Sequence, residues 1–369
     1  MSIESLYACQ QAPGKWSWQF VSAAGKESFL KILPEISEAD LIRNVDKREV
    51  YHKKGIFVKF YMPAKDTFSK NARALFFPSA ANEFNRLRML QKMGIPAVTP
   101  LAYGKYGTRS VLITKEEPAV CSVAELFKEK YDSGTKLSDH FFSNWGKFVQ
   151  KILTCKLYFA DFHTGNLLYS TVKDDFVLVD PEGIKKTCYL RKIRILRMLK
   201  RQLALPLEFY SKREVLLFLS ETTPASAEKM YYDILEYSSR YVRELQLPKR
   251  IKSFRKHKLI IDGIQRKETL LGIYPLENTV TKKLTSETAD AVWERDYICS
   301  LHSLPLLHTV ARVPGTGKIY LQTPGESAVD PQKCEELLER LRICDLSADD
   351  FDFCTDRHGR TLLIDKAVL

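Results

Sequence analysis

Between Ser138 and Gly183 the chain runs through a helix-length apolar stripe, a polar loop and two short apolar runs. That order leaves little freedom in how the segment can fold. Phe141, Phe142, Trp145, Phe148, Val149 and Ile152 recur at helical spacing over 139–153, with Ser138 placed to cap the start. The loop YFADFHTGN follows; LLYS and FVLVD, joined by TVKDD, then read as two strands. Asp161 and Asn166 share one loop and can face one pocket, and a hairpin of the two strands returns Asp180 to it. Gly165 and Gly183 are expected to let the backbone turn beside Asn166 and after Asp180. This set of groups suits phosphoryl transfer. One carboxylate orients the attacking hydroxyl, while an amide oxygen and a second carboxylate are the hard ligands Mg²⁺ prefers.

Upstream, WSWQFV reads as a strand, and REVYHKKGIFVKFY as two strands turned at Lys53-Lys54-Gly55. Phe84, Leu87, Leu90 and Met93 predict a helix over about 80–93, stopped by Gly94 and Pro96. SVLITKE (110–116) predicts a buried strand, followed by a helix near 122–131. From 189 to 245 the pattern is helical, with Thr223-Pro224 as an N-cap and first-turn pair. PKRIKSFRKHK (248–258) reads as a polar, basic linker, after which the pattern returns to strand, helix and strand.

The Asp-x4-Asn loop followed by Asp-Pro-Glu-Gly resembles the catalytic and metal-binding loops of the protein-kinase-like superfamily. Within it the chain is similar to the lipopolysaccharide core-sugar kinases, which phosphorylate heptose or Kdo. The similar segments are VKFY from Val58, EFNRLRML from Glu83, GIPAVTPLAY from Gly94, SVLITKE from Ser110, DFHTGNLLY from Asp161 and VDPEG from Val179, within roughly residues 45–220. The resemblance implies an α+β, two-lobed fold with a small β-rich N-lobe and a mainly helical C-lobe. It implies ATP and Mg²⁺ as cofactors. Lys59 would hold the α- and β-phosphates and Glu83 would pair with it. Asp161 would be the catalytic base, and Asn166 and Asp180 the metal ligands. Thr114, Lys115, Glu116 and Glu117 would be the hinge against the adenine. Two features depart from the family pattern. Between 45 and 58 the only glycine is Gly55, so no glycine-rich phosphate loop is visible, and Phe159 stands two before Asp161, where many members have His.

At 369 residues, two domains are the first expectation. A net charge of +12 favours anionic partners. No basic-and-aromatic signature points to nucleic acid. The eight cysteines form no Cys-x-x-Cys pair, no apolar run reaches membrane-span length, and the N-terminus does not read as a signal peptide. A cytoplasmic location is the expectation these features fit. Arg191, Arg194, Arg197 and Arg201 line one side of the helix predicted over 191–207. They are read either as a solvated face or as a surface for anionic lipid at the inner face of the inner membrane.

The expected domains are 1–247 (N-lobe about 1–117, C-lobe about 118–247), the linker 248–258, and 259–369. The last repeats the order of the first. Asp345 and Asp350 are spaced like Asp161 and Asn166, Asp365 follows like Asp180, Glu294–Pro305 parallels Glu83–Pro96, and KIYLQTPGES from Lys318 parallels the hinge. It reads as a truncated, inactive kinase-like half; an unrelated α+β appendage is the other reading. Three functions stay open: phosphorylation of a lipopolysaccharide core sugar or glycolipid, phosphorylation of another small molecule or protein, and nucleotide binding without turnover.

Overall fold

The computed structural model describes residues 16–22, 26–27, 40–45, 48–62, 74–118, 120–223, 226–256, 259–269, 272–274 and 276–369. The N-terminal stretch read for a signal peptide and Pro224 lie outside them. The chain divides into two compact units, residues 1–123 with 151–188 and residues 124–150 with 189–369.

The first unit is built on a six-stranded antiparallel sheet in the order β1-β5-β6-β4-β3-β2. Its strands are β1 (Ser17–Phe20), β2 (Asp40–Val45), β3 (Arg48–Lys53), β4 (Ile56–Tyr61), β5 (Pro100–Tyr106) and β6 (Arg109–Lys115). Lys53 pairs with Ile56, and the residues between them, Lys54 (φ 43°) and Gly55 (φ 78°), are both left-handed. A two-residue turn that matches strand twist requires this, and glycine supplies it at one position without strain. Side chains alternate across the strands. One face therefore buries Tyr51, Ile56, Val58, Phe60, Val111 and Ile113 with Trp16, and Lys59 and Tyr61 belong to the other.

Helix α1 (Ser79–Lys92) buries Glu83, Phe84, Leu87 and Leu90 along one stripe. Each of the three apolar side chains contributes about 1.5–3 kcal/mol on burial. Gly94 (φ 69°) closes the helix, and the Ile95 N–H bonds back to the Leu90 carbonyl at 3.0 Å.

Shorter strands complete the unit: β7 (Val120–Ser122), β8 (Leu157–Phe159), β9 (Leu167–Ser170), β10 (Asp175–Leu178) and β11 (Ile184–Lys186). The predicted hairpin is β9–β10, with Leu167 opposite Leu178. Leu178 is tied to the loop after α1: the Val98 N–H donates to its carbonyl and its own N–H to that of Pro96, both at 3.0 Å. The first unit is β-rich and the second opens on helices, in keeping with the α+β class that the resemblance implies.

The second unit opens with α2 (Val123–Ser133) and α3 (Asp139–Thr154) and continues with α4 (Lys192–Phe209), α5 (Lys212–Thr222), α6 (Ala227–Tyr241) and α7 (Leu247–Lys256). Phe127, Phe141, Phe142, Trp145, Tyr210 and Phe218 form one aromatic cluster, and Ser138 Oγ accepts the Phe141 N–H at 3.2 Å as expected. Two local expectations need correction. Thr223 ends α5, and the N-cap of α6 is Ser226, whose side chain accepts the Lys229 N–H at 3.4 Å. The stretch expected as a linker is helical over Leu247–Lys256. Leu247, Ile251 and Phe254 form a helical stripe among the charges, and Phe254 stacks on Tyr297 at 4.2 Å. Among the described residues, no helix is long and apolar enough to cross a membrane.

The remainder carries β12 (Leu259–Ile261), β13 (Ile264–Arg266), β14 (Glu268–Thr269), β15 (Gly272–Ile273), β16 (Thr279–Lys283), α8 (Ser286–Leu301), β17 (Thr309–Val313), β18 (Lys318–Gln322), α9 (Pro331–Cys344), β19 (Phe351–Thr355) and β20 (Thr361–Asp365). Its main sheet runs β12-β13-β17-β18-β16. The path β13-β17-β18-β16 repeats β1-β5-β6-β4, and the details repeat with it. Ser303 is left-handed like Gly94, and Leu304 N–H bonds Cys299 O as Ile95 N–H bonds Leu90 O. Leu307 N–H bonds Leu363 O, and Leu363 N–H bonds Pro305 O, as Val98, Leu178 and Pro96 do. Asp365, like Asp180, lies two residues past the bridging leucine.

Candidate active site

Cross-strand pairing puts Arg48 opposite Tyr61 and Val50 opposite Lys59. Directly opposed residues share a face, as do residues two apart on one strand. Arg48, Lys59 and Tyr61 therefore project together, away from the apolar core. Lys59 Nζ lies 2.7 Å from Glu83 Oε1 and 3.4 Å from Asp180 Oδ1. Glu83 sits on the buried stripe of α1 and is 5% exposed. Its second oxygen, Oε2, accepts the Tyr61 hydroxyl. Burial, and next the Glu83 charge, push the Tyr61 phenol well above its ordinary value, so it remains a donor. A buried carboxylate without these partners would be strongly disfavoured.

Asp180 receives charge on both oxygens, from Lys59 on Oδ1 and from Arg48 Nη1 on Oδ2 at 2.7 Å. Burial alone would raise its carboxyl. Lys59 and Arg48 outweigh burial and hold it below the usual carboxylate range. Its backbone is left-handed (φ 50°), which an Asp tolerates better than a branched residue. Gly183 (φ 80°) completes the turn as expected. The neighbouring Val179 N–H bonds the Asn166 carbonyl at 3.0 Å, which brings the two candidate metal ligands together.

The loop 160–166 is shaped from within. Phe159 and Phe162 are fully buried and stack at 5.3 Å, so the family departure at Phe159 has a packing role here. His163 Nδ1 accepts the Gly165 N–H at 3.1 Å, and Asn166 Nδ2 donates to the Asp161 carbonyl at 3.0 Å. Gly165 does not adopt a positive φ; its role is close approach, since a Cβ there would lie 3.1 Å from the His163 ring. The Asp161 carboxylate is exposed, with His163 Nε2 3.7 Å away. It faces solvent.

Thr114 and Lys115 end β6, and Glu116 and Glu117 follow. The Lys115 and Glu116 N–H groups bond Thr99 O and Gly55 O, both at 2.8 Å. Glu116 Oε2 pairs with His52 Nε2 at 2.9 Å and Glu117 with Lys173 at 3.7 Å. The two acidic side chains and the Lys115 and Glu116 N–H groups are thus all engaged with protein partners.

Among the described residues, no cluster of three or more His, Cys, Asp or Glu is placed to hold a metal. The donor set of Asn166 and Asp180 fits Mg²⁺, a cation commonly held by one or two carboxylates together with phosphate oxygens and water. Sequence reasoning missed Arg48, Tyr61 and His52. The signal was available in the hairpin: once Lys54-Gly55 is the turn, pairing parity puts all three on the Lys59 face.

The corresponding corner of the second unit is different. Lys282 holds the register position of Lys59, since Lys59 opposes Leu112 and Lys282 opposes Ile319 in matching ladders. It is exposed and donates to the Leu369 carbonyl at 3.4 Å. Glu83 lies ten residues before the cap of its helix; ten before His302 is Val292, not Glu294, so no acidic partner occupies that place. Asp345 does not correspond to Asp161. It is the left-handed cap of α9 (φ 59°), as Lys156 (φ 55°) follows α3. Seven positions separate Lys156 from His163, but two separate Asp345 from Ser347, which caps the matching turn. The stretch that holds Asp161 is therefore absent. Asp365 is clasped by Arg295 through Nε at 2.7 Å and Nη2 at 2.9 Å.

No protein-family model matches the chain, and no curated protein sequence does. Solved structures similar to it include WaaP in complex with acyl carrier protein, at 16% identity over 62% of this chain and 97% of that one, with a TM-score of 0.46. WbdD at 2.2 Å matches at 12% identity over 52% and 48%, with a TM-score of 0.36. The bifunctional kinase-methyltransferase WbdD matches at 11% over 59% and 50%, with a TM-score of 0.37. The chain thus spans about half the length of the WbdD structures.

Proposed function

We propose that this protein is an ATP-dependent phosphotransferase of the protein-kinase-like type whose acceptor is a hydroxyl of a lipopolysaccharide core sugar, heptose or Kdo. The observation that carries the reading is the convergence of Lys59, Glu83 and Asp180, with the backbone beside Asp180 bonded to Asn166. Those residues lie up to 121 positions apart in the chain. Lys59, fixed by Glu83, binds the nucleotide phosphates. Asn166 and Asp180 hold Mg²⁺, which neutralises phosphate charge when bound. Asp161, exposed on the same loop as Asn166, orients the acceptor hydroxyl and takes its proton. Thr114 to Glu117 form the edge that meets the adenine.

The sugar acceptor rests on the sequence resemblance. The domain reading, a catalytic domain over 1–247 and a degenerate kinase-like copy over 259–369, rests on the repeated sheet path, on Val292 standing where Glu83 would, and on the different partners of Lys282 and Asp365. A cytoplasmic protein working peripherally at the inner face of the inner membrane suits a glycolipid acceptor. The exposed Tyr189 and Ile193 beside Arg191 and Arg194 favour that contact.

The test is transfer of labelled γ-phosphate from ATP to purified, dephosphorylated core oligosaccharide, with generic protein acceptors alongside. Labelling of the oligosaccharide is the expected outcome. Labelling of protein alone moves the acceptor to another class, and nucleotide binding without transfer to any acceptor supports a scaffold instead.

A further inference from the structure

The stretch 45–58 lacks a glycine-rich run, and what the β2–β3 hairpin brings to the site is Arg48. Val45 pairs with Arg48 in the β2–β3 ladder, so Arg48 is the first residue of β3. It projects on the Lys59 face, as argued above. Its Nη1 lies 2.7 Å from Asp180 Oδ2 and 4.0 Å from Glu182 Oε2. The Arg48 and Asp180 side chains are 19% and 18% exposed. Asp180 is thus held between two cations, one on each oxygen.

That arrangement competes with metal binding. A divalent ion bound at about 2.0–2.1 Å from a carboxylate oxygen would stand against a guanidinium on the same carboxylate. At such separations like charges repel strongly, the more so in a half-buried site. Arg48 then needs another anion. Phosphate oxygens match the guanidinium fork as a carboxylate does, and Arg48 lies on the strand paired with that of Lys59.

We propose that Arg48 is a phosphate-clamping residue. Without nucleotide it neutralises Asp180. When a magnesium nucleoside polyphosphate binds, it cedes that carboxylate to the metal and takes the phosphates. One side chain thus does what the backbone amides of a glycine-rich loop do. The inference rests on the phosphotransferase reading and adds the group that replaces the missing loop. The competing account is a fixed strut that holds Asp180 in place.

The two accounts separate on which part of the ligand feels the change. Full-length wild type, Arg48→Gln and Arg48→Lys are titrated calorimetrically with Mg-ATP, Mg-ADP and adenosine, and with Mn²⁺ alone by electron paramagnetic resonance. Arg48→Gln should weaken ATP and ADP by about tenfold or more and leave adenosine within about twofold. Mn²⁺ should bind Arg48→Gln more tightly than wild type, because its competitor is gone. Arg48→Lys should fall between the two for ATP. A strut predicts the opposite: adenosine and ATP weaken together, Mn²⁺ binds less well and the melting temperature drops. That result overturns the proposal, as does ATP binding in Arg48→Gln equal to wild type. Wild type that binds neither ATP nor ADP is a different failure and overturns the phosphotransferase reading itself.

Discussion

Asp180 and Asp365 stand at the same point of two similar chain paths, each two residues past a leucine bridged to the loop after a helix. Their surroundings differ. Asp180 meets Lys59 and Arg48 from two neighbouring strands, and its backbone neighbour bonds the Asn166 loop. Asp365 is gripped in a bidentate fork by Arg295 from α8 and caps the last turn of the chain through the Ala367 N–H at 3.0 Å. A carboxylate in the first setting can exchange partners. One in the second is committed to holding the fold. The difference teaches that topology supplies places, whereas chemistry depends on whether the groups at those places have other duties.

The strongest way to break this comparison is to exchange treatments between the two corners. Asp161→Ala should lower phosphate transfer by several orders of magnitude with the melting temperature unchanged. Asp350→Ala, at the matching turn of the second corner, should leave transfer at wild-type rates. Equal losses in a transfer assay would mean that both corners serve the reaction.

A smaller effect is expected from Arg295→Ala. It leaves the buried Asp365 carboxylate without its fork, which should cost about 1–3 kcal/mol in chemical denaturation. Transfer by the surviving folded protein should be unchanged. An unchanged midpoint would show that the fork is ornamental.

The smallest effect concerns pH. His308 lies between Asp296 and Glu208, at 2.8 and 3.3 Å. Burial pulls its pKa down, but these acids overcome burial and push it up to about 9. Its contribution is therefore complete below the ordinary 6.5 and is lost as pH rises through about 9. His302 is shifted the other way, to about 4, by burial and by Lys200, Arg243 and Arg340. Its contribution is present above 6.5 and lost as pH falls through about 4. Thermal melts should decline by a few degrees on either side of pH 6.5. His308→Gln should remove the alkaline decline and leave the acid one, and an alkaline decline that persists would exclude His308 as its source.

Much of the site was legible because it is local. A turn of Lys54-Gly55 fixes the parity of Lys59, a three-four stripe places Glu83 on the helix face that buries Phe84 and Leu87, and an apolar hairpin carries Asp180 back to Asn166. Legibility failed where local pattern and tertiary duty diverge. The spacing of Asp345 and Asp350 imitates that of Asp161 and Asn166, yet a shortened connection makes Asp345 a helix cap. The charges of 248–258 masked the stripe of α7. The buried set Lys267, Asp296 and His308 draws on separate elements that no window of sequence spans.

The residue types, their order and the periods of their apolar neighbours determined which elements form and which face each reactive group occupies, because strand and helix repeats act over a few residues. Only the tertiary structure decided which charges meet: Arg48 reaches Asp180 from 132 positions away, and Arg295 reaches Asp365 from 70. Charge pairing depends on distances of a few ångströms between distant segments, and sequence spacing carries no information about those distances until the sheets and helices have packed.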